Sequence, residues 1–114
     1  MIDLKAIAKK AHLIAMQRHL KGCFADPQND FEMLKQCAGE VVEAMDACKN
    51  YESELEKSFD SVSEKDIAEC EKLHNAYGLE LADVIMCCLI IAHSNKIEIE
   101  SALLQCLEKN ASRV

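Results

Sequence analysis

Residues 79–92 read L-E-L-A-D-V-I-M-C-C-L-I-I-A, from Leu79 to Ala92. Twelve of these 14 residues are apolar, and the other two are acids, Glu80 and Asp83. Upstream and through this run, Ile67, Cys70, His74, Tyr77, Leu81, Val84, Cys88 and Ile91 recur at alternating steps of three and four. That spacing predicts a helical seam sustained for over three heptads. Gly78 falls inside it and marks a bend or a junction. A helix that is apolar all round is expected to be buried on every side. The run is shorter than the roughly 20 residues that span a bilayer, and its two acids interrupt it. A soluble, cytoplasmic protein is therefore expected, with no membrane partner.

Outward from this helix, the rest of the chain also reads as helical. Leu4, Ile7, Ala11 and Ile14 give an amphipathic helix over residues 2–20, closed by Lys21-Gly22, with Gly in the place a helix C-terminus favours. Residues 23–29 hold the single Pro and form the clearest loop. Asp30 is the expected N-cap of a second helix that continues through Phe31, Leu34, Cys37, Val41, Met45, Cys48 and Leu55. Ser58–Ser63 is the next break, and Ser63-Glu64-Lys65-Asp66 resembles a capped start, with an acid three residues after the Ser. Ser94-Asn95-Lys96 closes the third helix. Glu98 is the expected cap of a last helix carrying Ala102, Leu103, Cys106 and Leu107.

Composition agrees. The 114 residues suffice for one domain. Only five aromatic residues, three Gly and one Pro leave too few turn and strand formers for a sandwich or barrel. The expected fold is all-α, a bundle of four to five helices spanning residues 1–114. Twenty acidic residues against 13 basic give a net charge of −7, the wrong sign for neutralising nucleic-acid phosphates. A polyanionic ligand fits so acidic a chain only with metal ions between them. The seven cysteines are odd in number and lack a C-x-x-C, so they read as small buried apolar residues in a reducing compartment.

Acid pairs three apart are cheap in such a chain, and their context separates them. Asp66 and Glu69 lie in an ordinary solvated stretch. Glu80 and Asp83 share a helical stripe with Tyr77, Val84 and Cys87, inside the apolar run. An unpaired ionised carboxylate in such surroundings costs several kcal/mol. Glu40 and Glu43, in C-A-G-E-V-V-E-A-M-D-A-C, repeat the arrangement on a stripe with Cys37, Ala44 and Ala47. If the second and third helices pack antiparallel, the four carboxylates meet. Each like-charge pair a few ångströms apart then costs roughly 3–4 kcal/mol at an effective dielectric near 20. Divalent cations or bound protons must offset this. Oxygen donors without His or Cys select Mg²⁺ or Mn²⁺ over Zn²⁺.

These residues resemble a known family. G-E-V-V-E-A followed by L-E-L-A-D-V-I is similar to the paired E-x-x-E and E-x-x-D signature of the all-α nucleoside triphosphate pyrophosphohydrolases, the MazG-like superfamily. Lys21-Gly22-Cys23-Phe24 resembles its K-G-[FW] after the first helix. N-K-I-E-I-E-S-A-L and L-E-K-N-A-S-R resemble the connection into its last helix and its close. The likeness runs from about Ala11 to Arg113. It departs in a longer interval from Glu43 to Glu80, in Gly39 where many members have Glu, and in lacking a basic tail after Val114.

The resemblance implies Mg²⁺-dependent cleavage of a (d)NTP between its α- and β-phosphates, with a bundle completed by oligomerisation as a homodimer or a dimer of dimers. It implies Glu40, Glu43, Glu80 and Asp83 as metal ligands, with one glutamate alternatively the base that activates water. Lys21, Lys109 and Arg113 become candidates for the phosphates, and Asn110 for phosphate or base. Tyr77 reads as a core aromatic or as a base-stacking side chain. His12, His19, His74 and His93 have no mutual ligand spacing, and Glu71-x-x-His74 is only half of a di-iron motif. Two other readings stay open: a non-catalytic helical oligomerisation or partner-binding module, and a degenerate homologue that binds nucleotides without turnover.

Overall fold

A computed structural model describes residues 2–57 and 62–113. It contains four helices, α1 (Leu4–Leu20), α2 (Asp30–Lys57), α3 (Glu64–Ser94) and α4 (Ile99–Ala111), and no strand among the described residues. The break expected over residues 58–63 falls mostly outside that set.

Local chemistry sets the ends. Asp3 caps α1 by accepting from the Ala6 N–H at 3.1 Å. Gly22, at φ 75°, closes α1: its own N–H reaches His19 O and the Cys23 N–H reaches Arg18 O, both at 2.9 Å. Asn29, rather than Asp30, caps α2, because its Oδ1 accepts from Glu32 N–H at 3.1 Å. Asp30 is turned away and accepts from Asn95 Nδ2 at 3.0 Å. Ser63 and Asp66 form the expected reciprocal box: Asp66 N–H donates to Ser63 Oγ at 3.1 Å and Ser63 N–H to Asp66 Oδ2 at 3.0 Å. Lys96 takes the left-handed position after α3, with φ 57°. Glu98 stands at the N-cap of α4 without capping it, and its carboxylate pairs instead with Lys5 at 2.9 Å.

The third helix is not divided. It runs 31 residues through Gly78, where a Cβ would meet nothing within 4 Å. Unbroken, it exceeds the apolar run from which its length was judged. By length and composition alone it is long and apolar enough to cross a membrane, with a mean hydropathy of 1.6 over 18 residues.

The chain divides into two compact units, Met1–Met33 with Met86–Val114, and Leu34–Ile85. In the first, Ala8 and Ala15 of α1 are buried, as are Pro27, Met33, Leu89, Ile90 and Ala92. Met33 is fully enclosed, and burying such a side chain contributes about 1.5–3 kcal/mol. His12 approaches Ser94 Oγ at 3.2 Å and the His93 ring at 5.4 Å, tying α1 to the end of α3. No residue of α4 is buried.

In the second unit, α2 and α3 run antiparallel. Early residues of α2 meet late ones of α3 (Glu40 with Glu80 and Asp83), and later ones meet earlier ones (Glu52 with His74, Tyr51 with Asp66). The inward row of α2 is Cys37, Glu40, Val41, Ala44, Cys48 and Tyr51; that of α3 is Asp66, Cys70, Leu73, Tyr77, Glu80 and Val84. The seam read from apolar spacing is therefore rotated from the true one. Ile67 and Leu81 are 50% and 45% exposed, because an apolar count skips the inward acid at position 80. The run from Leu79 is also not buried on every side, since Leu79, Leu81 and Ile85 remain exposed. Of the cysteines, Cys37, Cys48 and Cys87 are buried as expected and Cys70 is half-buried, whereas Cys23, Cys88 and Cys106 are exposed.

Candidate metal centre

Positions three apart on a helix are offset by roughly 60° around its axis, and in both E-x-x-[ED] pairs here the first acid lies inward and the second on the flank. Glu40 and Glu80 take the inward places; Glu43 and Asp83 are exposed. One carboxylate oxygen from each of Glu40, Glu80 and Asp83 lies within 4.8 Å of the other two. Glu43 is not in this group, although its charge acts on Glu80. Gln36, one turn before Glu40, donates from Nε2 to Glu40 Oε1 at 3.3 Å and orients it.

Glu80 is the most constrained member. Its Oε2 is out of contact with water and accepts no hydrogen bond. Burial pushes its carboxyl above the ordinary glutamate range. The negative charges of Glu40 and Asp83, a hydrogen bond with Glu40 and the charge of Glu43 push it further. At an effective dielectric near 20, like charges at 4–5 Å cost roughly 3–4 kcal/mol per pair. A buried oxygen with no donor, facing two further carboxylates, fits a hard divalent cation. The all-oxygen donor set suits Mg²⁺ or Mn²⁺.

The other candidate residues lie elsewhere in the chain. Lys21 is exposed at the C-cap of α1. Lys109 and Asn110 are exposed in the last turn of α4, and Arg113 lies just beyond it. All four belong to the first unit, whereas the carboxylates belong to the second. Asn110 Nδ2 contacts Cys106 Sγ at 3.8 Å. Tyr77 is half-buried on the inward row.

Sequence reasoning missed a second group. Cys48, Glu52 and His74 each offer a ligand atom within 4.8 Å of the others. Spacing among the four histidines hid it, because its donors are not all histidines and come from two helices. The available signal was C-x-x-x-E on α2 and C-x-x-x-H on α3. Glu71, the upstream acid of the half di-iron pattern, is exposed and lies outside the group.

Comparison of the chain with known proteins returns no matching family model, no similar curated protein and no similar solved structure.

Proposed function

We propose that this chain is a Mg²⁺-dependent nucleoside triphosphate pyrophosphohydrolase of the MazG-like type, converting a (d)NTP to (d)NMP and pyrophosphate in nucleotide-pool housekeeping. One observation carries the reading: three carboxylates converge from two antiparallel helices, and one oxygen of the Glu80 carboxylate is buried with no partner. Glu40, Glu80 and Asp83 would hold the cation. Mg²⁺, or Mn²⁺ in its place, supplies positive charge that neutralises the triphosphate and lowers the pKa of an attacking water. Hydrolysis at the α-phosphorus would join a water oxygen to it, break its bond to the bridging oxygen and release pyrophosphate. Glu43, exposed beside the converging set, would take the water's proton or add a further ligand. Lys21, Lys109, Asn110 and Arg113 are the proposed contacts to phosphates and base.

Assembly belongs to the same reading. Leu79 and Ile85 on α3 are 63% and 61% exposed, and Leu103, Leu104 and Leu107 on α4 are 52–67% exposed. Exposed leucines at this density stabilise a soluble chain poorly and mark contact surfaces. A homodimer, or a dimer of dimers, covers them. Lipid is the weaker cover for α3, since ionised Glu80 and Asp83 are costly within a bilayer. A cytoplasmic location follows from this reading.

The test is pyrophosphate release from a panel of canonical and modified NTPs and dNTPs with Mg²⁺. Glu40→Gln and Asp83→Asn should each lower kcat/KM by about 100-fold or more. Activity unchanged in both variants would refute the site. The exposed face of α4 favours a second reading, a helical partner-binding module. That reading gains if no triphosphate is cleaved and Mg²⁺ leaves the thermal midpoint unmoved.

A further inference from the structure

The Cys48–Glu52–His74 group stands apart from the carboxylate centre, about 10 Å away along each helix by residue count. Its construction is regular. Cys48 and Glu52 stand four apart on α2, one above the other on a single face; Cys70 and His74 do the same on α3. His74 Nε2 lies 2.7 Å from Glu52 Oε1, and Cys48 Sγ lies 3.6 Å from the same oxygen. Cys70, half-buried on the inward row, lies outside this group. A thiol, an imidazole and a carboxylate thus converge from two rods.

The chemistry of these donors differs in kind from that of the first centre. Thiolate and imidazole are the preferred ligands of a borderline-soft cation that takes four ligands tetrahedrally, with Zn–S near 2.3 Å and Zn–N and Zn–O near 2.0–2.2 Å. Ligand atoms in such a shell lie roughly 3.3–3.8 Å apart, a spacing implied by those bond lengths. The Cys48–Glu52 separation of 3.6 Å already matches it, and His74 and Glu52 need part by only a fraction of an ångström to a full ångström.

We infer that Cys48, Glu52 and His74 form a Zn²⁺ site that clamps α2 to α3. Three protein donors leave a fourth position, which a water or Cys70, one turn before His74 on α3, would fill. Each coordinating thiol enters as thiolate and gives its proton to solvent. The clamp falls within residues 49–75 and their immediate flank, the stretch that lengthens the interval between the two acidic motifs, and gives that stretch a task.

Co²⁺ substitution of the full-length chain tests this without reference to turnover. One equivalent of Co²⁺ should produce intense tetrahedral d–d absorption and a sulfur-to-cobalt charge-transfer band, both displaced by one equivalent of Zn²⁺. Glu80→Gln should leave these bands intact. His74→Ala and Glu52→Ala alter exposed or half-exposed side chains and should not disturb folding. Each should weaken Zn²⁺ binding by more than about 100-fold, since even outer-shell contacts are worth roughly 10–100-fold. Cys48→Ser should abolish the charge-transfer band or reduce it by half. Absence of the band in the wild-type chain, or a band of full strength in both His74→Ala and Glu52→Ala, would overturn the site. Either result leaves the pyrophosphohydrolase reading standing, because that rests on other residues.

Discussion

Glu80 shows how a single side chain departs from an expected pattern and why. Its identity as an inward acid was legible from the apolar residues around it, which leave a carboxylate few ways to reach water. Glu43 was read by the same logic and is exposed, because it lies about 60° round the helix from Glu40, on the flank of the inward row. Glu80 also sets a pH dependence. Its carboxyl titrates above the ordinary glutamate range, chiefly through burial. The folded chain therefore keeps a proton that the unfolded chain has released. Stability is greatest below the unfolded value and falls as pH rises through the folded one. Without metal, the wild-type thermal midpoint should decline as pH rises through the folded value, net of other titrating groups. Glu80→Gln should flatten that decline and raise the midpoint at the alkaline end. Mg²⁺ should raise the wild-type midpoint there and leave Glu80→Gln unmoved; identical curves for the two chains in EDTA would show that Glu80 is not strained.

At the scale of helices, the starts and stops were mostly written in short polar signals. The Ser63–Asp66 box and Gly22 were read from local sequence because each works through hydrogen bonds within a few residues. Asp30 and Glu98 were misjudged as caps because distant residues decided them: Asn95 draws Asp30 away from capping, and Lys5 draws Glu98. Gly78 does not divide the helix, which continues through it with nothing within 4 Å of an added Cβ. The end of α3 offers a test. Lys96 holds a left-handed conformation that costs a side-chain-bearing residue energy, while its N–H bonds His93 O at 3.3 Å and the Ile97 N–H bonds Ala92 O at 2.8 Å. Lys96→Gly should stabilise the chain by about 0.5–1 kcal/mol, read as a higher urea midpoint at unchanged slope. A lower midpoint would mean that the lysine side chain contributes more than its backbone costs.

For the whole molecule, composition alone settled the all-α class, since so few turn and strand formers admit little else. What covers the helices was less legible, because apolar periodicity reports that a face avoids water and not which surface shields it. No residue of α4 is buried, yet its leucines stand in a row. Leu103→Asp combined with Leu107→Asp should convert a dimer to a monomer in sedimentation equilibrium and leave the helical content of the chain largely intact. A wild-type chain that sediments as a monomer at micromolar concentration would remove the assembly from the proposal.

The unbroken course of α3 also fixes its phase. Cys70, His74, Glu80 and Asp83 are threaded on one spiral, so their bearings around its axis are set by counting alone. One residue inserted between His74 and Glu80 would turn everything downstream by about 100°, swinging Glu80 away from Glu40 while the donors before it kept their aim. Seven inserted residues, close to two full turns, would restore the bearing to within about 20° but slide the acids some 10 Å along the axis. Loops elsewhere in this chain can lengthen freely by comparison; this short span tolerates neither gain nor loss.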